Sequence, residues 1–130
     1  MLAVDTDVVV RYLTGDQPEQ SARARAIIDN QHTYLTTTVI LETEWVLRTV
    51  YRFSPNQVGD SLTALAGLPH VQIETPETVA RALGWLKAGL DFADALHLSS
   101  ANNNCEAFLT FDQHFIRTAR MAGLVMVREL

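Results

Sequence analysis

The sequence predicts an α/β fold in which a parallel sheet is covered by helices on both faces. Short apolar segments of strand length alternate with longer segments that have helical spacing or helix-forming residues. Strands separated by helices favour parallel pairing, and a parallel sheet needs both faces covered. Because the chain has 130 residues and contains neither a repeat nor a linker, we expect a single domain over residues 1–130.

The expected strands are short apolar or β-branched runs, most of them bounded by turn or capping residues. They are Leu2–Val4, Thr33–Thr36, Val71–Ile73, Ala107–Thr110 and Leu124–Val127.

Local signals predict where several helices begin and end. Ser54 followed by Pro55 predicts an N-cap and a proline at the first helical position. Thr38 is expected to cap an earlier helix, and the run Asn102–Asn104 to end a later one. The expected helices are Val8–Leu13, Pro18–Asp29, Thr38 to about Tyr51, Pro55 to near Gly67, Thr75 or Pro76 to about Lys87–Gly89, Asp91 to about Asn102, and Asp112–Met121.

The composition is that of a compact, acidic protein. The net charge of −5 argues against a broad nucleic-acid-binding surface. Nine of the ten cationic side chains are arginines, however, and the planar guanidinium suits phosphate binding. No apolar run approaches the roughly 20 residues of a membrane span, and no export signal is recognisable. With Cys105 as the single cysteine, we expect a cytoplasmic protein that does not enter the membrane.

Acidic residues follow two of the expected strands. Asp5 follows the first strand and Asp112 the fourth, and ligands of parallel sheets lie beyond the carboxyl ends of the strands. Asp91 and Asp94 stand at the start of a helix. Each acid also has an ordinary structural explanation, because aspartate is a common N-cap and Asp91 with Asp94 could form a capping arrangement.

Glu42 is harder to explain as a surface residue. Its neighbours at helical spacing include Val39, Trp45 and Val46, so its carboxylate is expected to turn toward the interior and to need a cation, a proton or a metal. Glu44 lies about 200° around the same helix and is expected at the surface.

Asp5, Glu42, Asp94 and Asp112 could converge on one end of the sheet. Four carboxylates in one cleft would raise one another's pKa values unless cations neutralised them. Divalent ions that prefer oxygen ligands, Mg²⁺ or Mn²⁺, are the natural counterions.

At these residues the chain resembles a PIN-domain ribonuclease of the VapC toxin type. The similar stretches occur in the family's order and spacing and together cover essentially the whole chain. They are "VDTDVVVRYLTGDQPEQSARA" (Val4–Ala24), "TTVILETEWVLRTVYRFS" (Thr37–Ser54), "AGLDFADALHLSSA" (Ala88–Ala101) and "AFLTFDQHF" (Ala107–Phe115).

The resemblance implies a three-layer α/β/α sandwich around a five-stranded parallel sheet of order 3-2-1-4-5. It also implies a metal-dependent endoribonuclease that is the toxin of a toxin–antitoxin pair, with Mg²⁺ or Mn²⁺ as cofactor. The family's catalytic and metal-binding acids carry over to Asp5, Glu42, Asp94 and Asp112. The implied partners are an RNA substrate, a cognate antitoxin protein and a second copy of the chain.

Further residues are expected to support this site. Thr6 and Thr110 match positions where a hydroxyl lies beside the acids, and Asp91 matches a position that is often acidic. Asp7 departs from the family, which commonly has Asn or Ser there; it could strengthen metal binding or serve the helix N-terminus. The candidates for RNA contact are Arg11, Arg48 and Arg117.

Two other functions remain open at this point. The stretch Val4–Val9 also fits the opening of a haloacid-dehalogenase-like phosphatase with Asp5 as nucleophile, and Gly89–Asp94 echoes that superfamily's late acidic motif. That motif should follow a strand, however, and the chemistry wants a lysine in a context that Lys87 does not have. The other alternative is a catalytically inactive PIN-like binding module.

Overall fold

The computed structural model describes residues 1–102 and 104–130. Asn103, part of the asparagine run expected to end a helix, lies outside the described residues. The contacts within the chain divide it into two compact units, Met1–Pro76 and Glu77–Leu130.

The first unit contains a three-stranded parallel sheet. Strand β1 (Leu2–Ala3) pairs with β2 (Thr33–Leu35), which pairs with β3 (Val71–Ile73), so that β2 is central. Leu2 lies opposite Thr33, and Thr33 lies opposite Val71. The parallel pairing and the order 3-2-1 of these strands agree with the expectation for this part of the sheet.

Four helices complete the first unit: α1 (Thr6–Thr14), α2 (Pro18–Ile28), α3 (Thr37–Thr49) and α4 (Pro55–Ala66). Helix α4 begins as predicted, with Ser54 as N-cap and Pro55 in the first turn. Its first turn is a capping box, because Ser54 Oγ accepts a hydrogen bond from Gln57 N at 3.1 Å and Ser54 N donates to Gln57 Oε1 at 2.8 Å.

The prediction that Thr38 caps α3 was wrong. The N-cap is Thr36, whose hydroxyl accepts a hydrogen bond from Val39 N at 3.3 Å. Strand β2 ends at Leu35, so Thr36 is the first extended residue with a hydroxyl after it, and Thr38 already lies inside the first turn.

The second unit is built from α5 (Pro76–Lys87), which starts at the boundary, α6 (Phe92–Ala101), β4 (Phe108–Thr110), α7 (Gln113–Met121) and β5 (Val127–Glu129). Strands β4 and β5 pair in parallel, with Phe108 opposite Val127. The last strand was expected at Leu124–Val127 but begins only at Val127. Leu124 N donates to Ala119 O at 2.8 Å, so at this residue the chain is still hydrogen-bonded to the C-terminal end of α7.

The expected five-stranded sheet of order 3-2-1-4-5 is not what the described residues form. They form two parallel sheets, one of three strands and one of two. Strand β1 has only two residues, so it offers little backbone for pairing with a further strand.

Each unit has its own apolar core. In the first unit the fully buried side chains come from helices and from the central strand, and include Val9, Leu35, Leu47, Val58 and Leu62. In the second unit they include Ala82, Phe92, Leu98, Ala119 and Val127. In the described chain, no helix combines the length and apolar character that a membrane span requires.

Candidate active site

An open groove in the first unit brings together three acids that the sequence singled out. Asp5, Asp7 and Glu42 line it, beside the start of α1 and one face of α3. The other groove residues are Thr6, Val10, Arg11, Val46, Val50 and Tyr51. Two of the predicted catalytic acids, Asp5 and Glu42, therefore share one surface.

Asp5 has the position of a helix cap. It is the N-cap of α1, and its Oδ1 accepts a hydrogen bond from Thr6 N at 2.7 Å. The side chain is exposed, and acidic residues are common at helix N-termini because the helix dipole is positive there. The structural explanation is thus correct; the capping hydrogen bond uses Oδ1, and Asp5 is at the same time one of the residues that line the groove.

Thr6 is buried beside these acids, with 6% of its surface exposed. No described residue provides a hydrogen-bond partner for its Oγ1. A buried hydroxyl without a partner costs free energy, so this atom is suited to a group that enters the groove.

The two glutamates of α3 have exchanged the roles expected for them. Glu42 is exposed and faces the groove, whereas Glu44 is buried with 2% of its surface accessible. Glu44 accepts a hydrogen bond from Arg48 Nε at 2.8 Å, which supplies the cation that a buried carboxylate needs. The buried face of α3 consists of Ile40, Thr43, Glu44 and Leu47, not of the side that carries Trp45, which is 54% exposed.

The second unit holds the other acids. Asp91 caps α6 by accepting a hydrogen bond from Asp94 N at 3.2 Å, and Asp112 caps α7 by accepting one from Phe115 N at 3.1 Å. Asp94 lies in the first turn of α6 and is half-buried. Thr110 Oγ1 accepts a hydrogen bond from Asp112 N at 3.0 Å, which places the predicted hydroxyl beside the predicted acid.

The acids of the second unit act on one another electrostatically. Burial raises the pKa of Asp94, and the charges of Asp91 and Asp112 raise it further. His97 and His114 lower the pKa of Asp94 by a smaller effect, so both histidines are near this carboxyl. A group of acids in which a charged form is disfavoured is one that a bound cation would stabilise.

The three candidate arginines differ in their surroundings. Arg11 lines the groove of the first unit, where Gln20, Asp16 and Tyr51 hold it by hydrogen bonds. Arg48 is paired with the buried Glu44 and is not among the groove residues. Arg117 is exposed on α7.

In each unit the carboxylate and hydroxyl oxygens are of the type that a hard divalent cation prefers as ligands. Taken unit by unit, the partnerless hydroxyl of Thr6 in the first and the raised pKa of Asp94 in the second each favour a bound cation. Within residues 1–102 and 104–130, however, no three His, Cys, Asp or Glu side chains are grouped closely enough to hold an ion. The capping hydrogen bonds of Asp5, Asp91 and Asp112 hold these carboxylates at separate helix starts.

Sequence reasoning missed the residues that surround Arg11. Tyr51 lines the groove, and its hydroxyl donates to Asp16 and accepts from Arg11. The hydrogen-bond partners of Arg11 are Tyr51, Asp16 and Gln20, which lie 40, 5 and 9 residues from it in the chain. No local sequence pattern therefore links them. An arginine, an acid and a tyrosine at such separations carry no recognisable spacing signal.

The phosphatase alternative loses its second motif in the structure. Gly89–Asp94 follows helix α5 and leads into α6, whereas that chemistry needs the motif after a strand.

A family model described as "PIN domain" matches residues 2–121. No curated protein matches the chain.

Proposed function

The chain belongs to the PIN-domain family, whose members are generally metal-dependent nucleases, and on this premise we propose that it is an endoribonuclease that requires Mg²⁺ or Mn²⁺. The family assignment supports a nuclease; cleavage of RNA in particular is our proposal. The observation that carries it is the open groove lined by Asp5, Glu42 and the buried, partnerless hydroxyl of Thr6.

We propose that Asp5, Glu42, Asp94 and Asp112 serve one metal-dependent reaction. The order of these acids along a chain that the family model spans from residue 2 to residue 121 supports this assignment. The raised pKa of Asp94, caused by burial and by Asp91 and Asp112, supports cation binding in the second unit.

A bound Mg²⁺ or Mn²⁺ would supply a water nucleophile at near-neutral pH and offset charge on the phosphate. The chain's own residues orient the acids. Asp5 and Asp112 are fixed by capping hydrogen bonds from the backbone, and Thr110 in turn fixes the backbone of Asp112. Asp7 lines the groove without being placed at the cap, so we propose that it supports the local charge and is not a required ligand.

The test is cleavage of RNA with and without Mg²⁺ or Mn²⁺ by the wild type and by Asp5→Asn, Glu42→Gln, Asp94→Asn and Asp112→Asn. Matched controls are Glu19→Gln and Glu106→Gln, which alter exposed acids in the first and second unit. We expect each of the four site variants to lose at least about 100-fold in rate and the controls to keep full activity. The double variant Asp5→Asn/Asp94→Asn should cleave RNA no more slowly than the slower of the two single variants, because the effects of residues that act as a unit are not additive.

Metal-dependent cleavage that survives both Asp5→Asn and Asp94→Asn would place the site elsewhere. Absence of cleavage together with a stable beryllofluoride adduct at Asp5 would instead favour the phosphatase.

We further propose that the protein is a VapC-type toxin of the cytoplasm that forms a homodimer and binds a small antitoxin protein. Exposed apolar side chains support a protein partner: Trp45 and Val50 in the first unit, and Phe111 and Met121 in the second, are between 54% and 88% accessible. Sedimentation of the isolated protein tests the dimer, and a monomer at all concentrations would contradict it.

A further inference from the structure

The guanidinium group of Arg11 is held from several sides at the edge of the candidate groove. Its Nε donates to Gln20 Oε1 at 2.9 Å, and its Nη1 is 3.3 Å from Asp16 Oδ1 and 3.1 Å from the hydroxyl of Tyr51. Gln20 lies on α2, Asp16 between α1 and α2, and Tyr51 after α3. Three separate parts of the first unit therefore fix the orientation of one side chain.

Tyr51 connects this arrangement. Its hydroxyl donates to Asp16 and accepts from Arg11, so that it bridges the acid and the arginine. The hydrogen bond from Tyr51 is the main reason that the pKa of Asp16 is lowered, with smaller contributions from Thr14 and Arg11. Asp16 therefore stays ionised, which keeps it an acceptor for Arg11.

One end of the guanidinium remains available. Arg11 has five N–H donors, and the three bonds described above use Nε and Nη1. In the described part of the chain, no acceptor is found for Nη2. The side chain is 29% accessible and lines the groove with Asp5 and Glu42.

We propose that Arg11 binds a phosphate of the RNA through Nη2 and that Tyr51 is the positioning residue that holds it in place; this rests on the proposed function. A polyanion that approaches three carboxylates is repelled, so a cation in the groove wall is needed besides any metal. An arginine fixed by several acceptors loses little conformational entropy when it binds phosphate. Arg11 is the only cationic residue among the described residues that line this groove.

A purely structural role for the same hydrogen bonds makes different predictions. If Tyr51 merely ties α1 to the end of α3, its loss lowers the free energy of unfolding but leaves the salt dependence of RNA binding unchanged. If it positions a phosphate ligand, its loss weakens RNA binding and reduces that salt dependence, because one ionic contact is weakened.

The experiment measures binding of a short single-stranded RNA of mixed sequence by fluorescence anisotropy, on the Asp94→Asn background with Mg²⁺ present and at several salt concentrations. We expect Arg11→Gln to weaken binding by about tenfold and to reduce the salt slope by about 0.7. Tyr51→Phe keeps the ring and the charge of Arg11, and we expect it to weaken binding by roughly threefold to fivefold. Arg11→Lys should restore the salt slope but not the full affinity.

The double variant Arg11→Gln/Tyr51→Phe decides whether Tyr51 acts through Arg11. We expect it to bind RNA as Arg11→Gln does, since Tyr51 has nothing to position once Arg11 is gone. Tyr12→Phe is the matched control, because Tyr12 also lies in this unit and donates from its hydroxyl to an acid, Asp29, but is not among the groove residues. It should leave RNA binding unchanged.

An unchanged salt slope in Arg11→Gln would overturn the proposal for Arg11. If Tyr51→Phe lowers the RNA affinity equally whether residue 11 is arginine or has been changed by Arg11→Gln, the positioning role of Tyr51 is overturned. In cleavage assays of the otherwise wild-type protein, Tyr51→Phe should raise KM and leave kcat nearly unchanged. Because binding is measured without cleavage, a protein that binds RNA in this way but does not cut it would contradict the proposed function alone.

Discussion

Glu44 shows how a single side chain can be misplaced by a helical pattern. It is 2% exposed, while the side chain of its partner Arg48 is 42% exposed. The two carboxylate oxygens of Glu44 face Arg48 at 2.8 Å and 3.5 Å. The pair is therefore asymmetric: one charge depends on its partner for stabilisation, and the other is partly solvated.

This asymmetry predicts unequal effects of removing either charge. Arg48→Gln leaves a buried carboxylate without its cation and should lower the free energy of unfolding by about 3 kcal/mol. Glu44→Gln leaves an arginine that water can solvate and should cost only about 1 kcal/mol. Urea denaturation at near-neutral pH measures both, with Arg117→Gln on α7 as an exposed control expected to change stability by less than about 0.5 kcal/mol. Equal losses from the two variants would mean that Glu44 does not depend on Arg48.

At the scale of the helices and strands, three predictions that rest on local capping signals were confirmed, whereas the one for Thr38 was wrong. Ser54, Asp91 and Asp112 are N-caps as their sequence positions suggested, because a capping side chain bonds to an amide two or three residues away. The late strand was misplaced at Leu124, because the start of a strand depends on where its partner β4 lies.

In the candidate site, the sequence predicted the residues that belong to the family pattern but not the contacts between distant parts of the chain. Asp5 and Glu42 could be selected from the family pattern, and they do line one groove. The face that α3 buries could not be predicted, because Glu42 and Glu44 both stand beside apolar residues. The support of Arg11 could not be predicted either, since it comes from side chains on α2 and after α3.

Helix α1 is joined to the end of α2 by one side-chain contact that depends on pH. The hydroxyl of Tyr12 donates to Asp29 Oδ1 at 2.6 Å. Burial, followed by the hydrogen bond to Asp29, raises the pKa of Tyr12 from 10.0 to about 12. The folded state thus favours the protonated phenol over the phenolate.

The direction of this shift predicts a loss of stability at alkaline pH. A group whose pKa is raised on folding contributes its full stability below the unfolded pKa, here 10.0, and loses it as the pH rises toward the folded value of about 12. Denaturant midpoints across this range should therefore fall more steeply for the wild type than for Tyr12→Phe. Tyr34→Phe is the control and should follow the wild type. Parallel curves for Tyr12→Phe and the wild type would contradict the role of this contact.

Over the whole molecule, the acids that the family pattern selects are divided between the two compact units. Asp5 and Glu42 belong to Met1–Pro76, whereas Asp94 and Asp112 belong to Glu77–Leu130. If all four serve one metal-dependent reaction, loss of a carboxylate from either unit should weaken metal binding. The gain in thermal stability of the whole chain on addition of metal measures this weakening.

We expect Mg²⁺ or Mn²⁺ to raise the melting temperature of the wild type, because an ion that binds only the folded state stabilises it, by about 2.7 kcal/mol at a metal concentration 100 times the Kd. Asp5→Asn and Asp94→Asn should each lose most of this increase. Without metal, Asp94→Asn should be at least as stable as the wild type, because it removes a charge that burial and the charges of Asp91 and Asp112 disfavour. Thermal melts with metal and with EDTA give both values, and Glu19→Gln should behave as the wild type. An undiminished metal effect in Asp5→Asn would exclude the first unit from metal binding, and in Asp94→Asn it would exclude the second.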